Sequence, residues 1–296
     1  MGRKFRQCRT RNLVRAIGFR PLTERGEQTN PEAHLGANGR QIFNLLARKD
    51  SGRRGEHIVM TRNRVKTIAE RSSAKDETFE RLLDERHSCR GFRANPVDKT
   101  VIERILKIAQ KTASWCNAQP WQLIITCAAE TVRFRNLLTE YAAGHSAQPD
   151  IPFPREYRGV YLKRRRECGF QLYDSVGIPR GDRQASARQA MENFRLFGAP
   201  HVAIVTTDEA LGPYGILDCG AYVSNFSLAA RSVGVATIAQ AALAAHAPFI
   251  RKFFDLPTDR LIVCGISFGY EDESHPANAF RTSRAPLPET VTWVGA

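Results

Sequence analysis

Hydrophobic spacing becomes regular only past residue 75. Phe79, Leu82 and Leu83 fall on one face of a short helix that ends near His87. Pro96 then interrupts the chain, and Thr100-x-x-Glu103 reads as a capping box opening an amphipathic helix with the stripe Val101, Ile105, Ile108 and Ala109. Residues Gln122 to Cys127 form a short β-rich run, and Glu130 to Tyr141 return to helical spacing. A proline-bearing loop spans Gly144 to about Pro154, followed by a charged helical patch from Tyr161 to Gly169. A turn at Gly181-Asp182 then leads into a further helix, Ala185 to Phe197. His201 to Thr207 reads as a buried strand, and Leu217 to Val233 as a long helix stopped by Gly234. Pro248 to Phe254 is helical, Leu261 to Phe268 is a near-continuous apolar strand, and the tail from Ser274 is extended. Helices alternating with buried strands predict an α+β layered domain, with about residues 155–190 inserted as a lid or specificity region.

Residues 1–75 lack such a period and are rich in Arg, Gly, Asn, Thr and Ser, which predicts a disordered or loosely helical extension. They hold 18 of the 44 Lys+Arg and 6 of the 30 Asp+Glu, so most of the formal net charge of +14 lies there and residues 76–296 are nearly balanced. Two other readings stand beside plain disorder: a basic arm for nucleic acid or anionic lipid, and a translation start further on, for instance at Met60. No apolar run is long enough to span a membrane, and no secretory signal is seen. The seven cysteines are scattered, without a C-x-x-C pair or zinc spacing, and read as free thiols of a cytoplasmic protein with no metal site.

Three segments carry candidate chemistry: Arg86-His-Ser-Cys-Arg90 with Gly91-Phe92, Ala113-Ser-Trp-Cys-Asn117-Ala-Gln-Pro-Trp121, and Arg281-Thr-Ser-Arg284-Ala-Pro-Leu287. With the helix beginning Leu217-Asp-Cys-Gly-Ala, they occur in the order found in the FMN-dependent nitroreductase family. The chain resembles that family over about residues 78–294 and is most similar to its nitrobenzoate-reductase branch. It departs at Thr112-Ala113, where Ala-Pro is usual.

The resemblance implies a mainly antiparallel sheet flanked by helices, in an intertwined homodimer with FMN at the interface. NADH or NADPH would be the electron donor, and a nitroaromatic compound or a quinone the acceptor, in a two-electron ping-pong cycle. The site residues it implies are Arg86, His87, Ser88 and Arg90 along the phosphate, ribityl chain and ring edge, and Arg284 with Arg281 returning to the phosphate. Ser114 and Asn117 would reach the flavin of the other subunit, and Ala239, Gln240 and Ala241 would pass its reactive edge. The chemistry agrees: FMN is anionic at its phosphate and, once reduced, at its ring edge, and guanidinium forks match phosphate oxygens in pairs. Alternate positions 86, 88 and 90 would point one way from an extended backbone. No protein acid, base or nucleophile is required, so no catalytic residue is assigned. In the insert, Arg164 to Arg166 with Tyr157, Tyr161 and Tyr173 are candidates for recognising a carboxylated aromatic substrate.

Rivals within the fold are dehalogenation and oxygen-dependent flavin chemistry. From another class comes a nucleic-acid protein acting through the basic arm. Gly265-Ile-Ser267-Phe-Gly269 fits a nucleophile elbow in letters, but no helix pattern follows Ser267, so a serine hydrolase is set aside. No G-x-G-x-x-G or Walker pattern occurs.

Overall fold

The computed structural model describes residues 76–295, so the readings made for residues 1–75 lie outside the described residues. At its centre is a four-stranded antiparallel sheet of β1 (Gln122–Thr126), β2 (His201–Asp208), β3 (Ala236–Gln240) and β4 (Arg260–Gly269), in the order β1-β2-β4-β3. The two inner strands are apolar on both faces because both faces are covered. Ala203 and Val205 of β2 face one cluster and Val202 and Ile204 the other, as a period of two requires.

The first cluster is closed by α2 (Lys99–Ala109) and α6 (Gly212–Arg231), through Ile102, Ile105, Tyr222 and Phe226. Over the second lie α3 (Ala129–Gly144) and α8 (Ala247–Phe253), with Phe134, Leu138 and Ile250 fully buried. Each such side chain contributes about 1.5–3 kcal/mol by leaving water, which makes these two layers the bulk of the fold's stability. Between α3 and β2 the insert forms α4 (Gly159–Ser175) and α5 (Arg183–Met191), neither of which buries a residue fully. A four-residue helix, α7 (Ala241–Ala244), starts where β3 ends. The opening helix, α1, covers residues 76–85.

Several local expectations shift. The cap of α2 is Asp98, whose backbone carbonyl accepts from Val101 and Ile102, so Thr100 and Glu103 lie inside the helix and form no capping box. Its inward stripe runs through Ile102, Ile105 and Ala109, spaced i, i+3 and i+7 on one face, while Ile108 turns outward off that face. The long helix begins five residues sooner than its apolar spacing suggests, with Pro213 in its first turn, where a missing N–H costs no hydrogen bond. It stops as expected, with Gly234 at φ +76°, a conformation that side-chain-bearing residues avoid. Ser267 lies mid-strand and fully buried, and the strand runs on to Gly269, which is incompatible with an elbow.

Candidate active site

Segment 86–90 leaves α1 and runs against the outer edge of β3. Ser88 makes a parallel bridge to Thr237, and the Cys89 N–H donates to the Thr237 carbonyl at 3.0 Å. Two anchors fix it there. At one end, His87 Nε2 lies 3.0 Å from Glu271 Oε1. Arg231 at the end of α6 joins Glu271 at 3.9 Å and Glu85 at 3.1 Å, tying α1, α6 and the strand β4 exit together. At the other end, buried Asn278 accepts from the Arg90 N–H at 2.7 Å and donates to the Gly91 and Asp272 carbonyls at 2.9 Å each. Neither Glu271 nor Asn278 stands out in the sequence, since an isolated Glu or Asn in a loop has no local pattern.

The arginines divide by surroundings. Burial and the neighbouring Arg284 guanidinium hold Arg86 below its ordinary pKa, so residues nearly 200 positions apart bring like charges together. No carboxylate among the described residues pairs with either of them. Arg284 Nη1 is steadied by Thr282 Oγ1 at 2.9 Å and by the Thr282 and Ser283 carbonyls. Burial also lowers Arg90, whose guanidinium donates to the Ser88 carbonyl at 3.2 Å and sits 5.9 Å from the Phe280 ring centre. Arg281, by contrast, donates to the Asn278 and Phe280 carbonyls and stiffens its own tail.

At the end of β3, Ala239 and Ala241 are exposed while Gln240 between them is buried, as strand alternation dictates. The Gln240 carboxamide is fully engaged: Nε2 donates to the Asn193 carbonyl at 2.9 Å, and Oε1 accepts from Ser267 Oγ at 2.5 Å. Only its backbone is left to meet a ligand. The segment is a strand running into a helix, not a connector between two helices.

Ser114 and Asn117 lie apart from this group. Ser114 Oγ accepts from the Gln119 N–H at 2.9 Å, and Asn117 Oδ1 from Gln119 Nε2 at 3.2 Å. Cys116, Asn117 and Gln119 all have left-handed backbones, near +50°, each costing on the order of 1–3 kcal/mol. Among the described residues, no hydrogen bond or ion pair joins this loop to segment 86–90 or to the tail; it is tied instead to α6, through the Trp115 N–H and Asp218 at 3.1 Å. Its exposed Trp115 packs edge-on against exposed Tyr214 of α6, ring centres 4.3 Å apart, and Leu217 of the same helix is exposed as well.

The insert flanks the site. Between α4 and residues 282–290 lies a cleft of about 650 Å³, lined by Lys163, Arg164, Cys168, Gln171 and Arg284 among others. Arg164 pairs with Glu289 at 3.0 Å, and Arg165 lies over the Tyr157 ring at 5.1 Å, so two of the three arginines already have partners; Tyr161 is exposed.

Comparison with known proteins gives this arrangement a family. Residues 83–270 match the nitroreductase family. The nitrobenzene nitroreductase of Ectopseudomonas oleovorans is 32% identical over 216 residues, 72% of this chain and 95% of that protein. The 4-nitrobenzoate reductase of Pseudomonas putida is 31% identical over 70% of this chain and 92% of its own length. Among solved structures, the FMN-dependent nitroreductase NfnB from Mycobacterium smegmatis, crystallised with NADPH, superposes with a TM-score of 0.71 at 30% identity, covering 74% of this chain and 99% of that one. On the family match and these relatives, the chain belongs to the nitroreductase family.

Proposed function

We propose that the chain is an FMN-dependent oxidoreductase passing two electrons from a reduced nicotinamide to nitroaromatic acceptors, nitrobenzoate-like compounds included, or to quinones. The observation that carries this is the Arg86–Arg284 pair. Arg86 is partly removed from water and feels the charge of the exposed Arg284, and no carboxylate among the described residues pairs with either, so an anion that joins them relieves the repulsion. A phosphate dianion suits both, since each fork can bind two oxygens.

The remaining residues fit the rest of FMN. Ser88 and Arg90 continue along the same strand edge, and Arg90 offers a partly desolvated positive charge to an anionic ring edge. Ala239 and Ala241 present no bulk, so the backbone at the β3 end can approach a flat ring closely. His87 secures the strand base through Glu271, and Arg281 secures the tail that carries Arg284. Bound there, FMN would supply two-electron transfer between donor and acceptor. The protein's own contribution is to bind, orient and exclude water, with no side chain needed as acid or base. NADPH, present with the mycobacterial relative, is the first donor to test, with NADH beside it.

We assign the working unit as a homodimer in which Ser114 and Asn117 complete the partner's site. The support is a strained loop with no hydrogen bond to its own chain's site arginines, which carries exposed Trp115 against exposed Tyr214. Residues 76–296 form the catalytic domain and residues 1–75 an extension. Among the described residues no helix is long and apolar enough to cross a membrane, and the six cysteines there are free, which fits a reducing cytoplasm. Anaerobic turnover of 4-nitrobenzoate with NADPH or NADH by the FMN-loaded protein tests the activity. Flavin binding without turnover of any nitroaromatic or quinone would move the reading to dehalogenation or oxygen chemistry.

A further inference from the structure

We infer that Gln240 is a positioning residue that couples the end of the insert to the strand terminus facing the flavin; the inference rests on the flavin reading above. Ser267 pairs with Ile238 across β3 and β4, which puts it on the same face as Gln240 and diagonal to it. One buried carboxamide therefore grips two elements at once. Its oxygen is held by the sheet through Ser267, and its nitrogen holds Asn193 just past the end of α5 through both the Asn193 carbonyl and its Oδ1, at 2.9 and 3.3 Å.

Asn193 is itself fixed. Its Nδ2 donates to the Ala190 carbonyl at 3.0 Å, and the chain next passes through Leu196, Phe197 and Gly198, all left-handed, with Leu196 and Phe197 buried. A buried turn in that conformation persists only where packing on every side defines it, so the segment is held in one place. From there the insert runs back over α5 and α4 to the cleft beside Arg284. Ala239 and Ala241, flanking Gln240 and facing outward, share its backbone. Displacing the carboxamide moves the 239–241 main chain and the insert's anchor together, whereas the arginine cluster at 86 and 284 keeps its own supports.

The test compares Gln240→Ala, Gln240→Glu and Ser267→Ala with the parent, all as full-length protein loaded with FMN. The preference for FMN over riboflavin should stay at the parental value, because the hydrogen bonds of Gln240 do not involve Arg86 or Arg284. The visible band of the bound flavin should shift in Gln240→Ala, and its reduction by NADPH should slow about 10- to 100-fold, the scale expected for a sub-ångström to ångström misplacement. Gln240→Glu sets an acceptor against the Asn193 carbonyl. Its parental band should return only as pH falls and the buried carboxyl gains a proton to donate. Ser267→Ala, which removes a single hydroxyl, should give the same shift in weaker form and decides the matter should Gln240→Ala not fold. A parental band and reduction rate in the variants, with only a lower melting temperature, would make Gln240 purely structural and overturn the inference alone. A parent that takes up no FMN would overturn this inference and the function beneath it together.

Discussion

Replacing Arg284 by alanine separates cofactor affinity from fold stability, because the side chain is proposed to bind the flavin phosphate and its charge bears on Arg86. Loss of a charge-assisted contact of about 1.5–3 kcal/mol predicts FMN binding weaker by roughly 10- to 100-fold. Without FMN, the melting temperature of the variant should equal or exceed the parent's, since one repulsion has gone. A drop in the FMN-free melting temperature would show that Arg284 supports the fold instead. Buried His201 sets a pH dependence. Its Nε2 accepts from the Val97 N–H at 2.9 Å, its Nδ1 faces the Thr126 carbonyl, and burial lowers its pKa. The folded state therefore keeps it neutral while the unfolded chain takes up a proton near pH 6.5. The sign follows: its contribution is complete above about pH 6.5 and is lost as pH falls below it, at up to about 1.4 kcal/mol per pH unit. His201→Phe should lower stability at neutral pH, by leaving Val97 unpaired, yet flatten the slope in acid; chemical denaturation at several pH values reads both.

Among elements, segment 86–92 is held as closely as any strand. A methyl group on Gly91 would meet the His275 ring and Cβ at 2.3–2.7 Å, atoms near the main chain that cannot swing aside. Gly91→Ala should cost about 1–3 kcal/mol of stability and also weaken FMN binding, because the strain displaces the edge that carries Arg86 and Arg90. Thermal melts with and without FMN measure the two losses separately. The sequence shows β2 and β4 plainly, since burial on both faces leaves unbroken apolar runs. It hides β3, where Ala236-Thr-Ile-Ala-Gln240 has small residues beside an alanine-rich helix. Pairing with β4 on one edge and the Ser88 bridge on the other make it a strand, and both partners are distant in sequence. The same limit applies to the site. Arg86, Ser88, Arg90 and Arg284 are legible as motif positions, whereas the supports supplied by Glu271, Arg231 and Asn278 depend on residues far along the chain. Gln240 is legible as a place but not as an orientation: its carboxamide turns into the protein, toward Asn193 and Ser267.

At the scale of the whole molecule, the exposed side chains of Phe79, Trp115, Leu217, Leu287 and Trp293 lie on several different elements. In the homodimer proposed above a second copy would cover apolar side chains such as these, so light scattering should return twice the mass of one chain. A chain beginning at Asp76 should bind FMN and turn over nitrobenzoate like the full-length protein, because the family match begins at residue 83. A gel shift seen only with the full-length chain would give the basic extension a nucleic-acid role of its own. The most direct test of the central claim, that arginines from both ends of the domain close on one flavin phosphate, is a titration of FMN into the purified protein, followed by quenching of flavin fluorescence. Saturation at one FMN per chain is predicted, with riboflavin, which lacks the phosphate, binding at least about tenfold more weakly. Equal binding of both, or of neither, would contradict it.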